Sequence, residues 1–393
     1  MHILISGGGT GGGVYPALAV VKALKALHPA AEFRWLGSRY GIEGPMIARE
    51  GLPFDALPGG PLVGVGLRAI PNALRVLAAV VRAYRIVGHF RPSALLITGG
   101  WPTIAPTLAC WLRRVPILIY LPDREPSGAI RALARFARRV AVNDADSLRY
   151  FRPGQAVVTG YPLRPSVLEA AGYDPLGQPT GRRDAVHEIA RRHFRLQPGV
   201  PTLLVFGGSR GARSLNTALI AALPDLLPAA QIIHISGELD HAQVAADSAG
   251  LPAELRPRYH LFAYLHSEDM ALALAAADLV VSRAGASTLG EFPIFRLPAI
   301  LVPYPHAWRY QKTNADFLAG QGAALRLNDE DLSRELGPSA LSLINDPARR
   351  ARMAEAAGAL GQPAAAARIA AELLALADPA GAALPDPGSA LGE

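Results

Sequence analysis

Two stretches of the chain combine residue types that suit a phosphorylated sugar. In "SRAGASTLGEF" (282–292) a strand-like run ends in a small-residue turn, and Glu291 follows Ser287 by one helical turn. A carboxylate in that position can accept two hydrogen bonds from a ribose diol, or it can serve only the first turn of the helix. In "VPYPHAWRYQKTNADFL" (302–318) Gln311 begins a helix, and its amide can both donate to and accept from vicinal sugar hydroxyls.

Two glycine-rich loops offer backbone donors that suit a phosphate. "SGGGTGGGVYPAL" (6–18) follows an apolar run, and "TLLVFGGSRGARSLNTAL" (202–219) repeats its layout of strand, glycine loop and helix. Converging N–H groups and the positive end of the following helix favour an anion, although a tight turn without a ligand has the same pattern. The second loop adds the Ser209 hydroxyl and the Arg213 guanidinium, which can equally be solvated on the helix.

The opening loop lacks the marks of two common nucleotide sites. No Gly-Lys-Ser/Thr follows it, so it is not a P-loop. The second strand-like run, "EFRWLG" (32–37), is followed by no acidic residue before Glu43, so the carboxylate that holds the ribose of a nicotinamide dinucleotide is missing. We therefore expect no nicotinamide cofactor. The sequence also has no cluster of His, Cys and Asp with ligand spacing, and we expect no structural metal.

Short apolar runs alternate with alanine-rich helical patterns along the whole chain. This alternation predicts parallel strands joined by crossover helices, and its restart near residue 202 predicts two domains. The predicted fold class is α/β, with two tandem Rossmann-like domains and a ligand cleft between them. The expected boundaries are residues 1–165 for the first domain, 166–200 for a linker, 201–347 for the second domain, 348–377 for C-terminal helices and 378–393 for a disordered tail.

The composition restricts the compartment and the partners. The net charge of +7 and the pI near 9.7 fit an anionic partner, or they reflect an arginine-rich composition alone. Cys110 is the single cysteine, which excludes internal disulfides and fits a reducing cytosol. No apolar run reaches the roughly 18 residues of a membrane span, and "HILIS" lacks the basic flank of a signal peptide. We expect no nucleic-acid partner.

Six motifs in order along the chain resemble those of the MurG-type glycosyltransferases of bacterial cell-wall synthesis. They are the opening glycine loop, "GGW" (99–101), "GYPLR" (160–164), "GGSRGARSLN" (207–216), "SRAGAST" with Glu291, and "PYPHAWRYQ" (303–311). The resemblance runs from about residue 2 to about residue 375. It implies the two-domain GT-B architecture and an inverting transfer that needs no metal or cofactor. The implied reaction moves N-acetylglucosamine from its uridine diphosphate to the undecaprenyl-pyrophosphoryl-muramoyl-pentapeptide lipid, at the cytoplasmic face of the membrane.

The resemblance also implies roles for individual residues. Glu291 would bind the ribose hydroxyls, Gln311 those of the sugar, and the backbone at Leu265 and His266 the uracil edge. The opening loop would hold the acceptor pyrophosphate, or the donor diphosphate when the domains close. The implied donor-binding set is Thr10, Gly11, Gly12, Arg164, Ser209, Leu265, His266, Glu291 and Gln311, and the implied phosphate loop of the acceptor is Gly8, Gly9 and Gly13.

Two departures from the family pattern affect the catalytic base. Many members have a histidine where this chain has Gly13, and many have "HEQN" where this chain reads "LPDR" (121–124). Transfer to a hydroxyl benefits from a positioned base, typically by 100- to 10,000-fold. Asp123 is the substitute that we expect, with Glu125 second. Asp123 can instead be an ordinary turn residue in a Pro-Asp-Arg stretch.

The lipid-linked acceptor implies contact with a membrane surface. The stretch 66–87, "GLRAIPNALRVLAAVVRAYRIV", is the expected contact. An apolar stripe with basic side chains near it suits an anionic leaflet; the stripe is Ile70, Leu74, Leu77 and Val81, and the basic side chains are Arg68, Arg75 and Arg82. An ordinary crossover helix that covers the sheet has the same periodicity, and one helix can do both.

Two other functions remain compatible with the sequence. A related transferase with another lipid acceptor, such as diacylglycerol, would keep the donor motifs and change the first domain. A non-catalytic relative would bind the sugar nucleotide without turnover, although the intact Glu291, Gln311 and glycine loops oppose that reading.

Overall fold

The computed structural model describes residues 1–8, 11–41, 43–59, 69–208, 212–305 and 310–378. By its internal contacts the chain separates into two compact units. One unit is Met1–Pro162 together with the chain from Ala364 onward, and the other is Leu163–Pro363. Each unit is built around one parallel sheet.

The strands of the described residues fall into two sheets. The first sheet contains β1 (His2–Ser6), β2 (Glu32–Ser38), β3 (Phe54–Leu57), β4 (Ala94–Ile97), β5 (Ile117–Tyr120), β6 (Arg139–Val142) and β7 (Ala156–Val158). The second contains β8 (Thr202–Phe206), β9 (Gln231–Ile235), β10 (Tyr259–Phe262), β11 (Leu279–Ser282), β12 (Ala299–Leu301) and β13 (Ala324–Arg326).

Both sheets have the same doubly wound order. The first runs β3-β2-β1-β4-β5-β6-β7 and the second β10-β9-β8-β11-β12-β13, and every pairing is parallel. In each sheet the chain reverses its direction of winding beside the first strand, β1 or β8. Ligands of such sheets bind at that reversal, beyond the carboxyl ends of the strands.

Helices cover both sheets. Those of the first unit are α1 (Gly11–Leu27), α2 (Glu43–Arg49), α3 (Ala69–Phe90), α4 (Ile104–Leu112) and α5 (Gly128–Leu133). Those of the second are α6 (Pro165–Ala170), α7 (Arg183–His193), α8 (Arg213–Leu226), α9 (His241–Ser248), α10 (Ser267–Ala276), α11 (Thr288–Phe295), α12 (Tyr310–Gly320), α13 (Leu332–Ile344) and α14 (Pro347–Ala359). The last helix, α15 (Ala365–Ala377), returns to the first unit and packs against α1, β4 and β5.

Burial on both faces explains why the strands read as uninterrupted apolar runs. Ile3, Leu4 and Ile5 of β1 are fully buried, as are all four residues of β4 and of β5. On α3, the face that meets the sheet is Ala79, Ala83 and Val87. Small residues there let the helix approach the strands closely.

The prediction of two tandem Rossmann-like domains is confirmed. One strand was missed, because β3 has only four residues, "FDAL", at the sheet edge and includes the partly exposed Asp55. The segment expected as a linker contains α6 and α7, which both pack against α10 of the second unit.

Candidate functional site

The opening glycine loop is held by three side chains from neighbouring strands and α2. The Trp35 indole donates to the Gly7 carbonyl over 3.2 Å, and the Thr98 hydroxyl donates to the Gly13 carbonyl. The Glu43 carboxylate is fully buried and accepts from the Ser38 backbone N–H at 2.7 Å. It lies so close to Gly8 that a Cβ there would meet its oxygens at 2.6 Å. These contacts hold Gly7, Gly8 and Gly13, the described residues on either side of the loop tip, in place.

The "GGW" turn packs directly on this loop. Gly100 has φ +87, and a Cβ there would lie 2.5 Å from the Gly8 carbonyl oxygen. Only glycine satisfies both the positive φ and this close approach. The turn after β4 and the loop after β1 therefore form one surface at the carboxyl edge of the first sheet.

Gly11, Gly12 and Gly13 are not loop residues but the first residues of α1. Gly13 does not need to be glycine for steric reasons. A Cβ there would lie 3.4 Å from the Gly8 oxygen, which is ordinary contact, and its φ is not positive. The backbone tolerates a Cβ at this position, so its conformation alone does not require glycine.

Asp123 and Glu125 follow β5 at the same carboxyl edge as the opening loop. β5 is two strand positions from β1, which places the strand ends about 10 Å apart. Both side chains are partly exposed. A sugar linked to a diphosphate can span such a distance.

The turn that carries Asp123 is braced from the next strand. Arg124 donates to both Asp144 oxygens at 2.8 and 3.0 Å and to Asp146 at 2.6 Å. The Tyr120 hydroxyl donates to Asn143 at 2.8 Å. Burial, and then the charges of Tyr161 and Asp123, raise the pKa of Tyr120, which therefore remains a donor. These ion pairs leave the Arg124 side chain only 11% exposed.

The second unit brings Arg164 and Glu291 together, although they are 127 residues apart in sequence. The guanidinium lies 3.3 Å from the Glu291 carboxylate and donates to the Ser267 hydroxyl at 2.9 Å. The Ser166 hydroxyl lies 3.1 Å from that of Ser267. Glu291 sits in the first turn of α11 and is 8% exposed. The cation fixes the direction of this nearly buried carboxylate.

Leu265 and His266 lie directly before this cluster. His266 is the residue preceding α10, and Ser267 is the first residue of that helix. Leu265 is buried and His266 is exposed. The stretch expected to contact the base is thus continuous with the stretch that holds Arg164.

Gln311 lies in the first turn of α12, where its side-chain oxygen accepts from the Tyr304 backbone N–H at 2.8 Å. This bond holds Tyr304, which follows β12, to the start of α12. The side-chain amide hydrogens make no hydrogen bond within the described part of the chain, so they can serve a ligand.

A buried polar network below the second glycine loop was not predicted. Arg283 forms an ion pair with Asp329 at 2.5 Å and donates to the Ser214 hydroxyl at 2.8 Å. Ser214 also donates to Asp329 at 2.8 Å. The network fixes the start of α8 against β11. The sequence feature that could have predicted this network is Arg283, which directly follows the buried strand "LVVS". An arginine beside a buried strand needs a buried partner.

Gly9, Thr10 and Ser209 lie outside the described residues. Gly8 and Gly208 flank those gaps, and Gly208 has φ +93 with nothing within 4 Å of a Cβ. Arg213 pairs with Asp240 at 2.8 Å, yet its side chain is 82% exposed. Within the described ranges, no three His, Cys, Asp or Glu side chains are grouped as metal ligands. No helix among these residues is long and apolar enough to cross a membrane.

Two Rossmann-like units, each with a glycine loop after its central strand, make up the GT-B architecture, and the family matches make the chain a glycosyltransferase of that architecture. Residues 3–142 match the glycosyltransferase family 28 N-terminal domain, and residues 202–372 match its C-terminal domain. The chain belongs to glycosyltransferase family 28.

Named relatives cover almost the whole chain. A Roseiflexus sp. (strain RS-1) protein is 40% identical over 89% of this chain and 89% of its own length. It is named UDP-N-acetylglucosamine--N-acetylmuramyl-(pentapeptide) pyrophosphoryl-undecaprenol N-acetylglucosamine transferase. A Listeria monocytogenes (serotype 4a, strain HCC23) protein of the same name is 34% identical over 89% of this chain and 92% of its own.

Solved structures give the same fold. MurG of Acinetobacter baumannii superposes with a TM-score of 0.74 at 26% identity, covering 95% of this chain and 99% of that one. A UDP-GlcNAc 2-epimerase of Neisseria meningitidis, bound to UDP-GlcNAc, gives a TM-score of 0.67 at 13% identity over 95% of this chain and 99% of that one. That second likeness supports the fold alone.

Proposed function

We propose that this glycosyltransferase moves N-acetylglucosamine from UDP-N-acetylglucosamine to an N-acetylmuramyl-pentapeptide linked to pyrophosphoryl-undecaprenol. Relatives at 33–40% identity bear the corresponding name. The observation that carries the proposal is the cluster of Arg164, Ser267 and Glu291 at the carboxyl edge of the second sheet. It supplies an oriented carboxylate beside a phosphate loop, which is what a nucleotide ribose requires.

The donor would occupy the second unit. Glu291 would accept from the two ribose hydroxyls, and Arg164 would keep that carboxylate oriented. The uracil edge would meet the backbone at Leu265 and His266. The diphosphate would lie on the second glycine loop at the N-terminus of α8, where helix charge and N–H groups offset its negative charge without a metal. Gln311 would bind the hydroxyls of the sugar.

The acceptor would occupy the first unit, with its pyrophosphate on the opening loop. In an inverting displacement, the acceptor hydroxyl oxygen bonds to the anomeric carbon from the face opposite the diphosphate. The bond from that carbon to the diphosphate oxygen breaks, and its electron pair leaves with UDP. The hydroxyl proton would pass to the Asp123 carboxylate, with Glu125 as the second candidate.

The membrane contact would be made by an exposed apolar surface on α3 and α4. Leu77, Val81 and Tyr84 are spaced along one outward stripe of α3 and are 62%, 47% and 40% exposed. Another side of α3 covers the sheet, so one helix would both cover the sheet and contact the membrane. Of the predicted stripe, the side chains of Ile70 and Leu74, and Arg68, lie outside the described residues.

The end of α4 extends this surface. α3 and α4 pack together, and Trp111 and Leu112 are 50% and 55% exposed. Arg113 stacks on the Tyr84 ring at 3.9 Å from its centre. The sequence "WLRR" (111–114), an apolar pair followed by two arginines, was the missed signal. We call Leu77, Val81, Tyr84, Trp111 and Leu112 the apolar patch. Apolar side chains ringed by arginines suit the surface of an anionic leaflet at the cytoplasmic face.

The test of the proposed function is a transfer assay with the full chain. UDP-N-acetylglucosamine and a short-chain acceptor analogue should give UDP and a disaccharide lipid, with inversion at the anomeric carbon. A matched assay with diacylglycerol as acceptor should give neither. Release of UDP with diacylglycerol alone would contradict the acceptor, and donor binding with no turnover on either acceptor would contradict enzymatic function.

A further inference from the structure

A groove of about 560 Å³ lies at the amino-terminal edge of the second sheet. Its lining includes Asp278 directly before β11 and Pro298 directly before β12. The helices α7 and α14 begin beside it, with Arg183 and Pro347 as their first residues. The donor contacts are proposed beyond the carboxyl ends of the same strands. The four residues of β11, about 13 Å in length, therefore separate the groove from the proposed donor site.

Three arginine side chains line the groove without a carboxylate partner. Arg183 donates to the Phe295 carbonyl at 2.7 Å, and Arg350 donates to the Leu343 carbonyl at 2.6 Å. Among the residues that the structure describes, the Arg296 side chain makes no hydrogen bond, and none of the three arginines forms an ion pair. Burial, and then the charge of Arg296, lower the pKa of Arg183. The fold thus holds like charges close together, and an anion bound between them would offset their repulsion.

The two acidic side chains of the lining leave positive charge in excess. The Asp278 carboxylate accepts from the Thr202 backbone N–H at 2.8 Å and lies 3.9 Å from Arg191, a cation outside the lining. Asp184 is exposed in the first turn of α7 and acts on Arg183 as a nearby charge. Counting Arg191, four arginines and two aspartates give a net charge of +2 from these groups. A phosphate monoester carries about two negative charges at pH 7, whereas a carboxylate carries one.

The Arg296 side chain packs on a glycine of α14. A Cβ at Gly358 would lie 3.0 Å from the Arg296 Cγ and 3.2 Å from its Nε. The missing side chain at Gly358 therefore leaves room for the stem of this arginine. This contact restricts the stem, while the guanidinium keeps its donors for a ligand.

The rest of the groove offers one polar ring and a small apolar wall. The Nδ1–H of His187 donates to the Ala275 carbonyl at 2.8 Å, which fixes the ring. In the neutral ring, Nε2 is an acceptor that makes no hydrogen bond within the described part of the chain, so it can accept from a ligand hydroxyl. The apolar wall consists of alanines from four segments, which are Ala170, Ala275, Ala277, Ala351 and Ala354.

We infer that this groove binds a small phosphate monoester, with the phosphate on Arg183 and Arg296 and the carbon skeleton against the alanines. Planar guanidinium groups match the oxygens of a phosphate two at a time. A volume of about 560 Å³ is in the range of pockets for small organic ligands and exceeds the needs of a free ion. The groove takes no part in the proposed transfer, so the site and the reaction stand independently.

The experiment is a calorimetric titration of the full chain in phosphate-free buffer, with and without saturating UDP. Phenyl phosphate should bind saturably and equally in both conditions, because UDP would occupy the donor loop and not the groove. Benzoate has the same ring with one charge, and inorganic phosphate lacks the ring. Both should bind more weakly than phenyl phosphate.

Two variants test the arginine contact. Arg296→Gln should weaken binding of phenyl phosphate by about 10- to 100-fold, because hydrogen bonds between charged groups are lost. Arg195→Gln is the matched control, since Arg195 is also exposed and has the same φ of 54. It follows the far end of α7, about 16 Å from Arg183 and beyond the screening length. The control removes the same charge and should bind phenyl phosphate as the wild type does.

Four results would overturn the inference. They are the absence of saturable binding, equal affinity in Arg296→Gln and Arg195→Gln, displacement of phenyl phosphate by UDP, and binding of benzoate or inorganic phosphate as tight as that of phenyl phosphate. The third would place the ligand on the donor loop, and the fourth would assign the groove to anions in general. Failure of the wild type to bind UDP, with phenyl phosphate binding intact, would contradict the donor assignment alone.

Discussion

At the scale of single residues, the expected base is a side chain of the turn after β5. Gly13 supplies no side chain, although a Cβ would be tolerated there, and Arg124 is paired with Asp144 and Asp146. The acidic side chains of that turn are Asp123 and Glu125. We expect the first to act as the base because it lies closer to the strand end.

Replacing Asp123 by Asn should therefore lower turnover by about 100- to 10,000-fold while leaving donor affinity unchanged. The side chain keeps its size and polarity, so the loss reflects the missing proton acceptor. UDP release at saturating donor and acceptor measures it, with Glu125→Gln as the matched variant. Full turnover in Asp123→Asn would show that this assignment is wrong, and a loss confined to Glu125→Gln would move the base to that residue.

The role of Glu291 can be tested with a donor that lacks one of the two ribose hydroxyls that Glu291 is proposed to bind. Glu291→Gln should weaken binding of UDP-N-acetylglucosamine by about 10- to 100-fold, because hydrogen bonds to a charged group are lost. The 2′-deoxy donor should bind the wild type more weakly but lose little more in the variant. Calorimetric titration of both donors against both proteins measures the four affinities that this comparison needs. Loss of turnover with unchanged donor affinity would contradict the ribose role.

At the scale of elements, one buried histidine ties β9 to its neighbours. The Nε2–H of His234 donates to the Asn216 side-chain oxygen at 3.0 Å, and the Tyr259 hydroxyl donates to Nδ1 at 2.7 Å. The Asn216 amide donates to the Ser236 carbonyl at 2.9 Å, which fixes its orientation and hence this tautomer. Burial, and then the charge of His241, lower the pKa of His234 to about 3. The folded state therefore holds a neutral imidazole.

This histidine should make stability depend on pH. The folded pKa lies below the unfolded value of about 6.5, so the unfolded chain binds the extra proton and stability is lost as pH falls from about 6.5 toward 3. Between pH 7 and pH 5 the wild type should lose about 2 kcal/mol of unfolding free energy more than His234→Gln does. Urea unfolding at the two pH values measures the difference. Parallel losses in the two proteins would contradict the neutral buried state.

At the scale of the whole molecule, the two units should respond to different ligands. The second unit carries the proposed donor contacts and the first the proposed acceptor loop, so UDP-N-acetylglucosamine alone should slow amide hydrogen exchange around 265–267 and 288–291. Saturation at 100 times the dissociation constant corresponds to about 2.7 kcal/mol of added stability. Glu291→Ala should lose this protection at the same donor concentration. Donor binding that leaves the second unit unprotected would contradict the assignment of donor to that unit.

The two units have the same sheet order, and each has a glycine loop after its first strand that the sequence motifs marked. A glycine loop after the first strand is required wherever a helix starts close to a parallel sheet and a phosphate must approach the backbone. Such local rules predicted the fold class, the two glycine loops and the positions of Glu291 and Gln311 at the starts of helices. They did not predict β3, because an edge strand of four residues with Asp55 carries no apolar run.

Local pattern and local turn chemistry determined the alternating strands and helices, the carboxylate of Glu291 and the missing histidine at Gly13. Only the tertiary structure decided which distant residues meet. It paired Glu291 with Arg164, buried Glu43 against the opening loop, joined Arg283 to Asp329 and left Trp111 and Leu112 exposed. The physical reason is that periodicity reports which face of an element is apolar, whereas the partner of a charge depends on how separate elements pack.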